Sequence, residues 1–357
     1  MTNQPGLFGI HHSNKNFSNP VNWGKNQFNN AFPIALCCYM SNIGLKPIFI
    51  TLNKELKIQH QKISVSDLFR IDPASPEVFF AFEHNYFPYQ RIVEGSLESA
   101  DVVISNKASG RLLRGLEIKL TALPDTTTCQ LLDQEYGCEL VVRPNTISYV
   151  ALSIANSVLE TGKKQQLQAF LEPVCGTIRD WTDEKMILPI LDEIKQAICQ
   201  VFISDIYDQQ PVIIQPVWKT VGKSSQLHED CLDVFVWSDL ALAWIPMVQA
   251  KISEKTRSIQ RPARSIVWLA KMLYDFSKTE KINPSEITNR LNYQFRNDKS
   301  FSASGKVTHR YMTCPELTQP RVKKSEIKNI ILNGGQCYLS PERRFDAIIV
   351  NTPGLFH

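Results

Sequence analysis

A chain of 357 residues with 43% hydrophobic content is long enough for one large globular domain or two moderate ones. No apolar run approaches the roughly 20 residues needed to cross a bilayer, and the polar N-terminus lacks a charged-then-apolar secretion signal, so a cytoplasmic protein with no membrane partner is expected. The net charge of +4 hides an asymmetry: residues 1–66 stand at +5, residues 67–250 at −11, and residues 251–328 carry 17 basic against 7 acidic side chains.

In chain order, the segment to about Asn22 is rich in turn residues and reads as loop. Phe28 to Met40 reads as a helix, with Pro33 as an early turn or kink and Gly44 as its cap. Pro47 to Leu52 and Val78 to Phe82 read as strands, and Tyr89 to Leu97 as a short helix. Asp101-Val102-Val103-Ile104-Ser105 is the next strand. Asn106, Lys107, Ser109 and Gly110 form a turn into a strand from Leu112 to about Thr121. Pro124 breaks that strand, and Glu139 to Arg143 gives a further one.

Asn145 or Thr146 then caps an amphipathic helix with Ile147, Val150, Ala151, Ile154, Ala155, Val158 and Leu159 at helical spacing. Beyond Gly162 helices are predicted at 183–202 and 263–277, the latter presenting Ile266, Leu269, Ala270, Leu273 and Phe276. Strands are predicted near Val212–Val217, Leu232–Trp237 and Phe345–Val350. The pattern gives an α/β protein with a mostly helical C-terminal part. A division into 1–160 and 161–357 is compatible with one domain or two.

The nine cysteines are odd in number and none is spaced C-x-x-C. That argues for reduced thiols and against a disulfide scaffold or a zinc ribbon. The basic section 251–328 could face phosphates, or form a solvated helical surface.

Asp101 opens one strand and Glu117-Ile118-Lys119 sits within the next. Alternation along a strand puts Glu117 and Lys119 on one face, with side chains two apart separated by roughly 7 Å. Leu116, Ile118 and Leu120 take the other face. Two carboxylates and an amine on neighbouring strands suit a metal-dependent nuclease; the bland alternative is a surface strand with an ordinary Glu/Lys pair. Acid-x-Lys also occurs at Glu55, Asp183, Glu193 and Glu326. Only the triplet at Glu117 combines strand context with an aspartate on a preceding strand.

Other chemistry fails on spacing. Gly222-Lys223-Ser224 lacks the first glycine of a phosphate loop, because that position is Val217. His11-His12 and His228-Glu229-Asp230 have no partner motif, and no G-x-S-x-G elbow is present.

Several segments also resemble type II restriction endonucleases of the HindVP/HgiDI group. They are Leu7-Phe8-Gly9-Ile10 with His12-Ser13-Asn14; Trp23-Gly24-Lys25-Asn26-Gln27-Phe28-Asn29 with Phe32-Pro33; Phe82-Glu83 and Pro88-Tyr89-Gln90 leading to Asp101; and Gly115 through Asp125. The match is clearest over 1–160. The resemblance implies a PD-(D/E)xK core, a mixed sheet flanked by helices, and Mg²⁺-dependent cleavage of double-stranded DNA at GRCGYC. It matches Asp101, Glu117 and Lys119 to the catalytic positions; Ala100 stands where the motif name has proline.

On that basis Asp101, Glu117 and the main-chain carbonyl of Ile118 would hold Mg²⁺, with Glu83 as a candidate extra acid. Lys119 would orient water or meet charge growing on the phosphate. A palindromic target implies a homodimer. A cognate DNA methyltransferase is implied as a genetic rather than a physical partner. Arg111, Arg143, Arg257, Gln260, Arg261 and Arg264 are candidates for touching DNA. Two alternatives stay open: a repair or junction nuclease with the same core, and a DNA-binding protein without catalysis.

Overall fold

A computed structural model describes residues 34, 37, 40–41, 44–56, 58–73, 75–118, 136–137, 139–214, 218–221, 224–227, 234–237, 259, 261–293 and 301–304. Its strands are β1 (Ile48–Leu52), β2 (Ile58–Lys62), β3 (Val78–His84), β4 (Ala100–Asn106), β5 (Leu112–Ile118), β6 (Tyr136–Gly137) and β7 (Glu139–Val142) in the first half. Further on come β8 (Val212–Ile214), β9 (Trp218–Val221), β10 (Ser224–Leu227), β11 (Val234–Trp237) and β12 (Phe301–Ser304). Seven form one sheet in the order β2-β1-β11-β8-β5-β4-β3. The β1–β11 and β5–β8 pairs are parallel and the other neighbours antiparallel. The expected mixed sheet is present, and it draws strands from both sides of residue 161.

Local chemistry sets the hairpin that matters most. Asn106 Oδ1 accepts from the Ser109 amide at 2.9 Å, and Gly110 takes φ +64°. Such a turn favours an Asx acceptor and a residue without Cβ. β4 and β5 therefore pair antiparallel, Val102 with Leu116 and Val103 with Gly115. Val102, Val103 and Ile104 are all 0% exposed, so both faces of β4 are covered. A near-continuous apolar run is what a strand covered on both sides requires.

The helices are α1 (Val65–Phe69), α2 (Pro144–Thr161), α3 (Lys164–Cys175), α4 (Glu184–Ile187), α5 (Leu191–Ile203), α6 (Arg261–Thr279) and α7 (Pro284–Arg290). The apolar stripe predicted for α2 is its core: Ile147, Val150, Ala151, Ile154, Ala155 and Val158 are at most 1% exposed. Ser148, Ser153, Asn156 and Ser157 are buried as well. α2 also packs against α6, so it is enclosed on more than its sheet-facing side. The stripe predicted on α6, from Ile266 to Phe276, is buried too. Among the described residues no helix is long and apolar enough to cross a membrane.

Three boundaries differ from the sequence reading. α2 starts two residues early, with Arg143 as N-cap and Pro144 in the first turn. Proline at the first helical position has its φ preset and forgoes only an amide that has no helical acceptor. The helix predicted over 183–202 is split by a 3₁₀ turn at Leu188–Ile190 around Pro189. Tyr89 to Leu97 forms no helix. After a 3₁₀ turn at Phe87–Tyr89, Ile92 and Glu94 spend their backbone groups on Ile282, at 2.8 Å each.

Of the first predicted helix, Ile34, Cys37 and Met40 are described; all are helical and 0% exposed. The predicted N-terminal loop, the break at Pro124 and the strand Phe345–Val350 lie outside the described residues.

Candidate active site

Asp101 stands at the start of β4, half-buried, and its Oδ2 accepts the Ile118 amide at 2.6 Å. A carboxylate accepting a backbone N–H is a short, charge-assisted bond, and it ties the start of β4 to the end of β5. Extending the β4–β5 register by one residue sets Asp101 beside Glu117. Glu117 is 6% exposed. Its Oε1 accepts from Asn145 Nδ2 at 3.4 Å, in the first turn of α2.

A buried carboxylate needs compensation. Here the positive end of a helix and Arg143 supply it. Burial pulls the Arg143 guanidinium below its usual range, and the neighbouring Glu117 charge acts in the opposite direction.

Glu83 lies opposite Asp101 on the other side of β4, between the pairs Phe82–Val102 and His84–Ala100. Its backbone is left-handed at φ +49°. For a non-glycine residue that conformation is uncommon and clusters at functional sites. Glu83, Asp101 and Glu117 line one cleft of about 650 Å³ with Asn145, Ser148, Tyr149 and, on the far wall, Asn283 to Ser285.

Tyr149 anchors the roof of this cleft. Its hydroxyl donates to the Gly115 carbonyl at 2.9 Å and accepts from the Val212 amide at 3.2 Å. Burial holds the Tyr149 and Tyr89 phenols well above their ordinary range, so both stay protonated. Gly115 leaves room beneath Tyr86, whose ring packs edge-on against Tyr89 at 4.8 Å.

Among the described residues no three Asp, Glu, His or Cys side chains close on one point as a metal cluster. Glu83 shares the cleft with Asp101 and Glu117. Lys119, Arg257 and Gln260 lie outside the described residues. Arg111 is exposed on the β4–β5 hairpin, while Arg143 and Arg261 are half-buried. None of these arginines lines the cleft.

Arg264 departs from the expectation of a DNA-facing side chain. It is 1% exposed, stacks over Trp268 at 4.7 Å and donates to the Asn292 carbonyl at 2.9 Å. Its guanidinium ties α6 to the segment that follows α7.

Sequence reasoning missed Asn145 and Tyr149 as site residues. They sit four apart, so one helix face carries both. The signal was Pro144 fixing where that face begins.

The fold and site define an α/β protein whose mixed sheet presents paired carboxylates to a cleft under a helix N-terminus. The chain belongs to the HindVP restriction endonuclease family, whose model matches residues 23–356. It is 49% identical over 354 residues to the type II restriction enzyme HgiDI of Herpetosiphon aurantiacus, covering 99% of this chain and 98% of that protein. It is 39% identical over 358 positions to the probable type II restriction enzyme HindVP of Haemophilus influenzae, covering 100% and 96%. No solved structure matches the chain. Family membership makes it a site-specific deoxyribonuclease.

Proposed function

We propose that this enzyme cleaves double-stranded DNA at a short palindrome, GRCGYC, by Mg²⁺-dependent phosphodiester hydrolysis on a PD-(D/E)xK core. The observation that carries the reading is the adjacency of Asp101 and Glu117 at the end of the β4–β5 pair, facing one cleft. The donor set fits the ion. Mg²⁺ takes one or two carboxylates and keeps several waters, so a third acid is not required. Asp101 and Glu117, with the Ile118 carbonyl, would hold it.

Bound Mg²⁺ supplies a Lewis acid for the phosphoryl oxygen and lowers the pKa of water. The protein's own part is orientation. The Ile118 amide fixes one Asp101 oxygen, and Asn145 fixes the Glu117 carboxylate. Lys119, two residues beyond Glu117, would direct the attacking water or meet charge on the phosphate. Glu83 would act through water.

The reading includes a homodimer, because a twofold target is met most simply by a twofold protein. It includes a cytoplasmic location, where the DNA substrate lies, and a methyltransferase encoded nearby. Residues 161–357 would supply DNA binding and dimerisation as a division of roles, since β8 and β11 complete the catalytic sheet.

The test is a plasmid digest in Mg²⁺ with mapped ends. Discrete fragments ending within GRCGYC, lost with EDTA, are expected. Asp101→Asn, Glu117→Gln and Lys119→Ala should abolish cutting while DNA still binds. Structure-selective nicking of branched DNA without sequence preference would favour a junction nuclease instead.

A further inference from the structure

Asn145 carries an arrangement that the assignments above do not use up. Its side chain is half-buried in the first turn of α2 and lines the cleft. The amide nitrogen donates to Glu117 Oε1. The amide oxygen is buried and has no hydrogen-bond partner among the described residues. A buried acceptor without a donor costs about 1–3 kcal/mol relative to a satisfied one. Turning the amide over would not relieve this, because an oxygen would then face the Glu117 carboxylate. Glu117 thus dictates which way the amide points, and the orientation leaves an acceptor beside the acids.

We propose that Asn145 is a positioning residue of the metal site: Nδ2 holds the Glu117 carboxylate, and Oδ1 receives a proton donor brought in by the cation, a coordinated water. The proposal rests on the Mg²⁺ reading above and extends it to a residue outside the Asp-Glu-Lys triad. The chemistry of the two halves of the amide matches the two neighbours. A carboxylate accepts and needs a donor; water bound to a divalent ion donates strongly and needs an acceptor. Tyr149, one turn along α2, pins the helix to β5 and β8, so the amide is carried on a fixed support.

The test measures Mn²⁺ binding to the full chain, following free Mn²⁺ by its electron paramagnetic resonance signal, for wild type, Asn145→Ala, Asn145→Leu and Glu117→Gln. Urea midpoints accompany each variant; two Asn145 replacements of different bulk guard against one that fails to fold. The expected result is a site in wild type that Glu117→Gln loses and that both Asn145 variants weaken by about 10- to 100-fold. Raised Mg²⁺ should then restore part of the cleavage rate in the Asn145 variants and none in Glu117→Gln.

Wild-type Mn²⁺ affinity in both Asn145 variants, with the site lost in Glu117→Gln, would overturn the role of Asn145 and leave the nuclease site standing. Equal Mn²⁺ binding by wild type and Glu117→Gln would overturn the metal site itself, and this proposal with it.

Discussion

The Tyr149 hydroxyl is shared between two parallel strands: it donates to Gly115 on β5 and accepts from Val212 on β8. Gly115 lies two residues before Glu117, and Val212 one before Ile213, the residue paired with Glu117. One phenol thus fixes the distance between helix α2 and the strand bearing the buried acid. Tyr149→Phe removes both bonds and leaves the shape. We expect it to lower stability by about 1–3 kcal/mol, read as a lower urea midpoint at unchanged m, and to slow cleavage. An unaltered midpoint would show that the shared hydroxyl contributes nothing.

Gly115→Ala should be tolerated. The added methyl meets the Tyr86 ring at 3.5 Å and the Ala100 methyl at 3.6 Å, ordinary contact distances. Glycine in a strand is itself costly by about 0.5–1 kcal/mol against alanine, so stability should hold or rise slightly. Loss of folding in this variant would mean that the space beneath Tyr86 is tighter than these distances allow.

Trp268 is 1% exposed and its indole donates to the Leu291 carbonyl at 2.8 Å. Trp268→Ala should cost about 3–5 kcal/mol. Arg264 stacks on the same ring, so its replacement tests the structural assignment separately. Arg264→Met should preserve sequence discrimination and the salt dependence of DNA binding. Relaxed cutting at near-cognate sites would return Arg264 to the DNA interface.

Arg111 is exposed, and an exposed arginine on a hairpin is free to meet a phosphate. If it does, Arg111→Ala should weaken binding evenly across sequences and reduce the log–log salt slope by about 1. An unchanged slope removes it from the interface.

Burial pushes the Cys175 thiol up to about 12 and the Cys199 thiol up to about 11. Both should resist alkylation at pH 8 in the native protein and react once it is unfolded, as site-resolved mass spectrometry would show. The sign of the stability effect follows. The folded state holds these protons more tightly, so the contribution is full below pH 9 and is lost as pH rises to about 11 and 12. Rapid native labelling of Cys175 at pH 8 would contradict its packing.

Strands β1, β3, β4, β5, β7, β8 and β11 and the α2 and α6 stripes were legible because hydrophobic period reports burial directly, whereas the short β2, β6, β9, β10 and β12 carried no such signal. So was the placing of Asp101 and Glu117 on neighbouring strands, since a short turn region separates the two apolar runs; their register was not. The roles of Asn145 and Tyr149 were not legible. Both depend on which side of α2 meets β5, and that is settled by packing between segments far apart in sequence. Arg264 misled for the same reason: a cation in a basic stretch reads as surface until the indole beneath it is seen. The helix expected after Tyr89 failed because its backbone groups pair with Ile282, a partner no local window contains.

That pairing has a consequence for how the enzyme comes into being. The acids at 83, 101 and 117 leave the ribosome early, whereas the wall at Asn283–Ser285, joined to them through Ile92 and Glu94, is made more than 160 residues later than Glu117. A chain ending short of Ile282 lacks the segment that pairs with Ile92 and Glu94 and the Asn283–Ser285 wall of the cleft. If those acids cut as proposed, competence to cut is expected only once most of the protein has been synthesised.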